Sequence, residues 1–443
     1  MKTNKIDRRR FVKQSAAVTG GLMAAPFAAT AGFYTEKAPA PIRVALIGCG
    51  GRGTGAAAQA IHSHPDVKLV AMADAFRDRL DNSLKSIKEE IENADTRIDV
   101  PESRKYVGFD AYKNAIKDAD VVILTTPPGF RPIHFKEAVA QGKHIFMEKP
   151  VATDPAGILS VLETAKEANR KKLNVIVGLQ RRYQNSYLEL LKRYQDGMIG
   201  DITSAQVYWN SRGVWVRERK PSQNEMEYQM RNWYYFNWLC GDHIVEQHIH
   251  NMDVVNWFKE DFPVHSQGMG GRTVRVGPEY GEIFYHDFVE YHYKDGVVMN
   301  SQCRHQPNTM SRVDEVITGS KGRIHFGDGK IEDLDGKVLF QFDKSKENNP
   351  YQTEHDLLFD AISKGEYKFS NAEYGAHTTL TAIVGRLSTY SGQVINQQTA
   401  LESGLNIQPA EYSWDATPPV LPGENGLYPC AIPGETSYFK SKS

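Results

Sequence analysis

The chain has 443 residues, of which 40% are hydrophobic and 24% are charged, and its formal net charge at pH 7 is −1. This length and composition exclude a largely disordered protein and predict two globular domains. Because the chain has no overall excess of basic residues, we expect no nucleic-acid partner and predict small-molecule chemistry instead.

The first 31 residues hold most of the charge asymmetry, with six basic residues and one acid, a local charge of +5 that leaves −6 for the rest. The run Arg8-Arg9-Arg10-Phe11-Val12-Lys13 resembles the twin-arginine export motif. The weakly apolar run over 16–29 that follows is too short and broken to span a bilayer. We predict a signal peptide over 1–31, read by the twin-arginine export machinery, and a periplasmic protein with no membrane attachment after processing. The alternative is a disordered basic tail.

After a linker over 32–41, short apolar runs alternate with helix-like segments. Such alternation predicts a parallel, doubly wound sheet, which we assign to an α/β Rossmann domain over 42–170. The predicted strands are 42–47, 67–73, 120–125, 144–147 and 174–179, and the predicted helices are 54–63, 76–93 and 154–169.

The second half has longer runs in which apolar and polar residues alternate, at 202–209, 284–293, 297–303 and 313–318. This pattern predicts an α+β C-terminal domain over 171–410 with a large, open, mostly antiparallel sheet. We predict helices at 242–258, 351–362 and 372–390. The tail over 411–443, rich in Pro and Gly, is expected to wrap over the surface.

A glycine-rich turn, Gly48-Cys49-Gly50-Gly51-Arg52-Gly53, lies between the first predicted strand and helix. Gly48 allows a tight turn, Gly50 admits a pyrophosphate against bare backbone, and Gly53 lets helix and strand pack closely. Asp74 ends the next strand, where a carboxylate accepts ribose hydroxyls and disfavours a 2′-phosphate. We therefore predict NAD as the cofactor, with NADP left open by Arg77 and Arg79. The alternative is a glycine turn that binds no ligand.

Further along, the chain has Thr126-Pro127, then His134, then Glu148-Lys149-Pro150. Together with the glycine turn, this order resembles the Gfo/Idh/MocA oxidoreductases. The resemblance implies that Thr126, Pro127, His134 and Glu148 contact the cofactor, and that Lys149 lies at the nicotinamide and binds the reacting hydroxyl. It also implies a cis bond at Lys149-Pro150. Without the family resemblance, the segment Glu148-Lys149-Pro150 would be interpreted as a solvent-exposed turn.

The segment 241–253 resembles the family's catalytic helix. The resemblance makes His250 the general base and Asp253 a structural residue, with Glu246 where the family usually has Asp. Proton removal from a hydroxyl suits His, the side chain that titrates nearest neutrality, so we assign catalysis to Lys149, His250 and Glu246. We predict no metal, although His243, Glu246 and His250 on one helix face leave a metal site open as an alternative.

Aromatic and polar residues are predicted to shape a substrate pocket. Aromatic faces pack against sugar rings while polar groups bond hydroxyls, so we expect a sugar or glycoside substrate. The alternative is that these rings belong to the core or to an oligomer interface. The predicted substrate contacts are Arg182, Tyr183, Trp209, Trp233 and His250.

The sequence leaves three functions open. The first is an exported NAD-dependent oxidoreductase that transfers hydride at a hydroxyl carbon of a sugar or glycoside. The second is a redox-assisted glycoside hydrolase, and the third is a non-catalytic protein that binds sugar and NAD. The resemblance further implies a homo-dimer or tetramer.

Overall fold

The computed structural model of the chain describes residues 40–439. The predicted signal peptide and all but the last two residues of the predicted linker lie outside this range. Residues 41–439 belong to one structural unit. No helix in the described part of the chain is long and apolar enough to cross a membrane.

The first sheet is built from short apolar strands. Its strands are β1 Ile42–Ile47, β2 Val67–Asp74, β3 Lys105–Val107, β4 Val121–Leu124, β5 His144–Met147 and β6 Val175–Val177. Their order is β3-β2-β1-β4-β5-β6, and every neighbouring pair is parallel. Strands buried on both faces need apolar residues at every position, which is why β4 reads Val-Val-Ile-Leu.

Helices cover both faces of this sheet. They are α1 Gly51–Ser63, α2 Arg77–Glu90, α3 Ala94–Arg97, α4 Ala111–Lys117, α5 Arg131–Ala140 and α6 Pro155–Arg170. The start of α6 shows how the sequence fixes a boundary: Asp154 caps the helix by accepting a hydrogen bond from Gly157 N at 2.7 Å, and Pro155 occupies the first helical position.

The second sheet is larger. Its strands are β7 Ile202–Ser211, β8 His265–Gly271, β9 His286–His292, β10 Val298–His305, β11 Arg312–Gly319, β12 Gly322–His325, β13 Lys330–Asp333, β14 Val338–Gln341 and β15 Ile395–Asn396. Their order is β14-β13-β12-β11-β7-β10-β9-β8-β15. All neighbours are antiparallel except β7 and β10. The predicted fold class is confirmed.

The remaining helices pack around this sheet or return to the first one. They are α7 Asn185–Gln195, α8 Glu225–Arg231, α9 Asn237–Cys240, α10 His243–Glu246, α11 Ile249–Lys259, α12 Pro350–Ser363, α13 Ala372–Ser391 and α14 Gln397–Glu402. The long, mostly buried α13 lies against β8. The four cysteines are free.

Late in the chain, the backbone comes back to the first sheet. Helix α12 packs on α1, and Gln352 Nε2 donates to the backbone oxygen of Gln59 at 2.9 Å. Val175 N, in the edge strand β6, donates to the oxygen of Phe369 at 2.9 Å. Residues from both halves of the sequence therefore build the first layer, while the predicted domain boundaries stay predictions.

Candidate active site

The glycine turn connects β1 to α1 and is shaped by close backbone contacts. Gly48 has φ +96°, and a Cβ on it would lie 2.5 Å from Thr126 N. A Cβ on Gly53 would lie 2.0 Å from the oxygen of Gly48. By contrast, a Cβ on Gly50 or Gly51 would meet no atom within 4 Å. The turn is therefore closely packed at Gly48 and Gly53 and open at Gly50 and Gly51. An open backbone at the start of a helix lets phosphates approach its N–H groups.

A cavity of about 520 Å³ lies in front of this turn, at the carboxyl ends of β1, β2 and β4. Eight of the predicted cofactor residues line it: Gly48, Gly50, Gly51, Arg52, Asp74, Thr126, Pro127 and His134. Gly53 lies behind the turn. Four further lining residues come from the region that follows the first sheet and were not predicted from the sequence: Trp215, Arg217, Met230 and Arg231.

Asp74 occupies the end of β2, facing the cavity. Its carboxylate accepts hydrogen bonds from Cys49 N at 2.6 Å and Phe76 N at 2.9 Å. Burial raises the pKa of Asp74 from its ordinary value, and these two bonds oppose the rise. A carboxylate can accept about four bonds, so sites remain for two ribose hydroxyls. Of the two residues that left NADP open, Arg77 pairs with Asp81 and Glu102, whereas Arg79 lines the cavity.

The Thr126-Pro127 turn is held by α5. Thr126 Oγ1 lies 3.1 Å from His134 Nδ1, and Arg131 donates to Thr126 O at 2.7 Å. Burial lowers the pKa of His134 to about 3, so its ring is neutral at physiological pH. Arg131 is buried and was not predicted from the sequence. Its position in the chain between the Thr126-Pro127 turn and His134 could have indicated that it contacts this turn.

Glu148 reaches the glycine turn through Arg52, which donates to its Oε1 at 2.6 Å. Arg52 also donates to Gln59 and stacks over the ring of Tyr351 at 4.9 Å. A second carboxyl, Glu354, is buried nearby with neither oxygen hydrogen-bonded within the described residues. Burial, and then the charge of Glu148, raises the pKa of Glu354 well above its usual range.

Lys149 and Glu246 form one junction between the two halves of the chain. Lys149 Nζ donates to the backbone oxygen of Glu246 at 2.7 Å and to its Oε1 at 3.2 Å. Both side chains are largely buried, and the peptide bond between Lys149 and Pro150 is cis, as predicted. The ammonium therefore has a fixed position, with one of its three N–H groups uncommitted by these two bonds.

His250 lies beside this junction. Burial, followed by the charges of Lys149 and Arg181, lowers the pKa of His250 well below its ordinary value. Trp209 stacks on the ring at 6.1 Å between centroids. His250 is thus held neutral, the form in which an imidazole can accept a proton.

The segment that carries these residues is not the single helix predicted over 242–258. Helix α10 ends at Glu246 and α11 begins at Ile249. Between them, the backbone N–H groups of Gln247 and His248 both donate to the oxygen of His243. This widened turn interrupts the regular spacing, so the inference that Glu246 and His250 share one helix face is wrong. Both residues are nevertheless brought near Lys149.

Arg182, a predicted substrate contact, is occupied by the protein itself. Its guanidinium donates to both oxygens of Asp253 at 2.8 Å and lies 3.9 Å from the ring centre of Tyr374. Tyr183 is buried, and its hydroxyl donates to Asn371 Oδ1 at 3.3 Å. Of the other predicted substrate contacts, Trp209 lies at His250, whereas Trp233 lines the cofactor cavity. The substrate roles stay predictions.

We expect Arg182→Leu to lower the free energy of unfolding by about 3–5 kcal/mol, because it leaves the buried carboxylate of Asp253 unpaired. Urea unfolding followed by circular dichroism measures the loss. The control is Arg43→Leu, which breaks a pair with Asp120 whose side chains are 47% and 42% exposed. Exposed pairs contribute about 0–1 kcal/mol, so equal losses in the two variants would contradict the prediction.

The alternative metal face of His243, Glu246 and His250 is not assembled. His243 Nδ1 lies 2.6 Å from Asp242 Oδ1, and its Nε2 lies 3.5 Å from Asp287 Oδ2. Glu246 instead contacts Lys149. The widened turn after Glu246 places the three side chains in different surroundings.

A family model matches the part of the chain that builds the first sheet. Residues 42–178 match the GFO_IDH_MocA family model, described as "Oxidoreductase family, NAD-binding Rossmann fold". This segment therefore has an NAD-binding Rossmann fold, and NAD is its cofactor. The open turn, the cavity and the acceptor groups of Asp74 fit that cofactor.

Among curated proteins, a "Glycosyl hydrolase family 109 protein" of Shewanella baltica is 25% identical over 249 residues, which is 52% of this chain and 50% of that protein. An "Alpha-N-acetylgalactosaminidase" of Shewanella oneidensis is 24% identical over the same length. The chain thus spans about half the length of the curated relatives it matches.

Among solved structures, scyllo-inositol dehydrogenase from Lactobacillus casei with bound NAD(H) and scyllo-inositol matches with a TM-score of 0.61 and 18% identity. The match covers 81% of this chain and 99% of that one. Aldose-aldose oxidoreductase from Caulobacter crescentus, complexed with glycerol, matches with a TM-score of 0.61 and 16% identity over 80% and 99% of the two chains. At these identities the likeness shows the fold.

Proposed function

Taking as premise an NAD-binding Rossmann domain of the Gfo/Idh/MocA oxidoreductase family, we propose that the chain is a dehydrogenase that transfers hydride at a hydroxyl carbon of a sugar or glycoside. The observation that carries the proposal is the fixed group of Lys149, Glu246 and His250. It lies where the cofactor-binding half of the chain meets the second sheet. The inositol and aldose oxidoreductases of the same fold support a polyhydroxylated substrate.

Bound NAD supplies the hydride acceptor in this chemistry. Lys149 donates its free N–H to the substrate hydroxyl and stabilises the negative charge that develops on its oxygen. His250, kept neutral, accepts the hydroxyl proton. Glu246 orients Lys149 through two hydrogen bonds, so that the ammonium does not need to be ordered during the reaction. Trp209, stacked on His250, offers an apolar face to a sugar ring.

The test uses the purified full-length protein. We expect denaturation to release NAD, and a panel of sugars and glycosides to change the cofactor absorbance at saturating NAD. No absorbance change across the panel, in protein that demonstrably holds NAD, would contradict the dehydrogenase proposal. Binding of sugars without turnover would favour the non-catalytic function.

A second candidate is a redox-assisted glycoside hydrolase, which oxidises the sugar transiently and returns the hydride after the glycosidic bond breaks. The glycosyl hydrolase relatives favour it. Its expected signature is release of nitrophenol from a nitrophenyl glycoside with no net change in NADH. The dehydrogenase instead accumulates NADH and leaves the aglycone attached.

The pH dependence of turnover tests the role of His250. Its pKa lies well below the ordinary 6.5, so the ring stays neutral through the neutral range. We expect kcat/KM to fall only when the pH drops well below 6.5, as the ring takes up a proton and can no longer act as base. In His250→Ala the residual rate should lose this acid limb. A limb centred near 6.5 in the wild type would contradict a buried, neutral base.

We also propose that the chain is exported to the periplasm by the twin-arginine route and assembles into a homo-dimer or tetramer. The export proposal is supported by Arg8-Arg9-Arg10-Phe11-Val12-Lys13 alone. Replacing Arg8, Arg9 and Arg10 together by Lys should shift the protein from the periplasmic to the cytoplasmic fraction; an unchanged distribution would refute the route. Light scattering of the purified protein determines the oligomeric state.

A further inference from the structure

A second cluster of polar side chains lies between α10 and the larger sheet, apart from Lys149 and His250. It consists of His243 at the start of α10, Asp287 on β9 and Cys303 on β10. One nitrogen, one carboxylate oxygen and one sulfur from these residues all lie within 4.8 Å of one another. Their exposed fractions are 0%, 3% and 1%, so the cluster is closed to solvent.

The ring of His243 is oriented by Asp242. Asp242 Oδ1 lies 2.6 Å from Nδ1, while its Oδ2 accepts from Phe284 N at 3.0 Å and from the hydroxyl of Tyr390. We therefore place the ring proton on Nδ1. This leaves a lone pair on Nε2, which is buried, has no hydrogen-bond partner within the described residues and faces Asp287. A carboxylate behind a histidine is the arrangement that orients metal-binding imidazoles.

Two of the three separations between these atoms suit a tetrahedral cation. Ligands bound at about 2.0–2.3 Å and separated by tetrahedral angles lie about 3.3–3.8 Å apart. His243 Nε2 lies 3.5 Å from Asp287 Oδ2, and Cys303 Sγ lies 3.8 Å from the same oxygen. A set of one nitrogen, one sulfur and one oxygen suits zinc and disfavours magnesium or calcium, which prefer oxygen ligands alone.

We propose that His243, Asp287 and Cys303 bind a structural divalent cation of the zinc type. This departs from the prediction that the chain takes no metal. The site is structural because its ligands are closed to solvent and line no part of the cofactor cavity. It fastens α10 to two central strands, three residues before Glu246, and so fixes the segment that orients Lys149.

The competing arrangement places a proton where the cation would be. An imidazolium of His243 between Asp242 and Asp287, with the backbone oxygen of Cys303 also facing the ring, satisfies the same charges without metal. The sulfur separates the two arrangements. A cation requires the Cys303 thiolate as a ligand, whereas a proton leaves Cys303 as a thiol whose Sγ donates to Asp287 Oδ2.

The test measures metal content and spectra in the full-length protein. We expect about one zinc per chain by mass spectrometry of the metal, and, after exchange with cobalt, a thiolate-to-cobalt absorption band with visible bands of a tetrahedral site. Cys303→Ala should lose the thiolate band and most of the metal. The control is Cys430→Ala, which removes a more exposed thiol of the same chain and should keep both.

The amount of bound NAD and the far-ultraviolet circular dichroism spectrum show whether each variant is folded. If Cys303→Ala fails to fold, the cobalt spectrum of the wild type decides alone. A wild-type protein that takes up neither zinc nor cobalt after dialysis refutes the site in favour of the shared proton. Metal retained at the wild-type level by a folded Cys303→Ala also refutes it.

Discussion

Lys149→Ala is expected to lower kcat by about 10²–10⁴-fold while NAD remains bound. Positioned groups that stabilise developing charge or take part in proton transfer contribute factors of this size. The two hydrogen bonds from Lys149 to Glu246 show that the ammonium is already in place before substrate arrives. Steady-state rates with the best substrate of the panel, together with the NAD content of the purified variant, measure the effect.

The matched control is Lys143→Ala, which removes a lysine at the opposite end of β5. Lys143 donates to the backbone oxygen of Ala119 and does not line the cofactor cavity. We expect its kcat to stay within about threefold of the wild type, since surface changes away from special features have small effects. If Lys149→Ala turns over as fast as Lys143→Ala, the assignment of Lys149 to the chemistry is wrong.

Gly53→Ala is expected to abolish NAD binding and to destabilise the fold. The added methyl would lie 2.0 Å from the oxygen of Gly48, a backbone atom that cannot move away without opening the turn. Overpacking of this kind costs about 1–3 kcal/mol. The measurements are the bound NAD per chain and the free energy of unfolding in urea.

Gly55→Ala, two residues further along α1, makes the control for this change. A Cβ on Gly55 would meet Arg52 Nη1 at 3.7 Å, an ordinary contact, so no clash arises. Replacing a helical glycine by alanine there should stabilise the fold by about 0.5–1 kcal/mol and leave NAD bound. Equal NAD content in the two variants would show that the close approach at Gly53 is not required.

The cofactor half was predictable from the sequence because its signals are local. A buried parallel strand requires an unbroken apolar run, and a turn that approaches phosphate requires glycine, so β1, β4 and the glycine turn were located correctly. The same holds for the boundaries of α12 and α13, which differ from the predicted 351–362 and 372–390 by a single residue at each differing end.

The rest of the site depends on contacts between distant segments. Arg182 was predicted to contact substrate because its guanidinium follows a strand end. The structure shows instead that Arg182 forms an ion pair with Asp253, which lies 71 residues further along the chain. Likewise, the break after Glu246 has no glycine or proline to mark it, because the widened turn arises from two N–H groups that share one carbonyl. Sequence periodicity cannot report such a local change in winding.

The return of α12 onto α1 has a consequence for how this protein can be divided. The stretch recognisable as a cofactor-binding family ends at residue 178, but Leu358 and Phe359 of α12 belong to the same apolar cluster as α1 and β1. A fragment cut at that point would expose this cluster and lose the backbone bond between Val175 and Phe369. Residues 42–178 are therefore not a complete unit that could be moved into another protein. Such a transfer would also require α12 and the segment around Phe369.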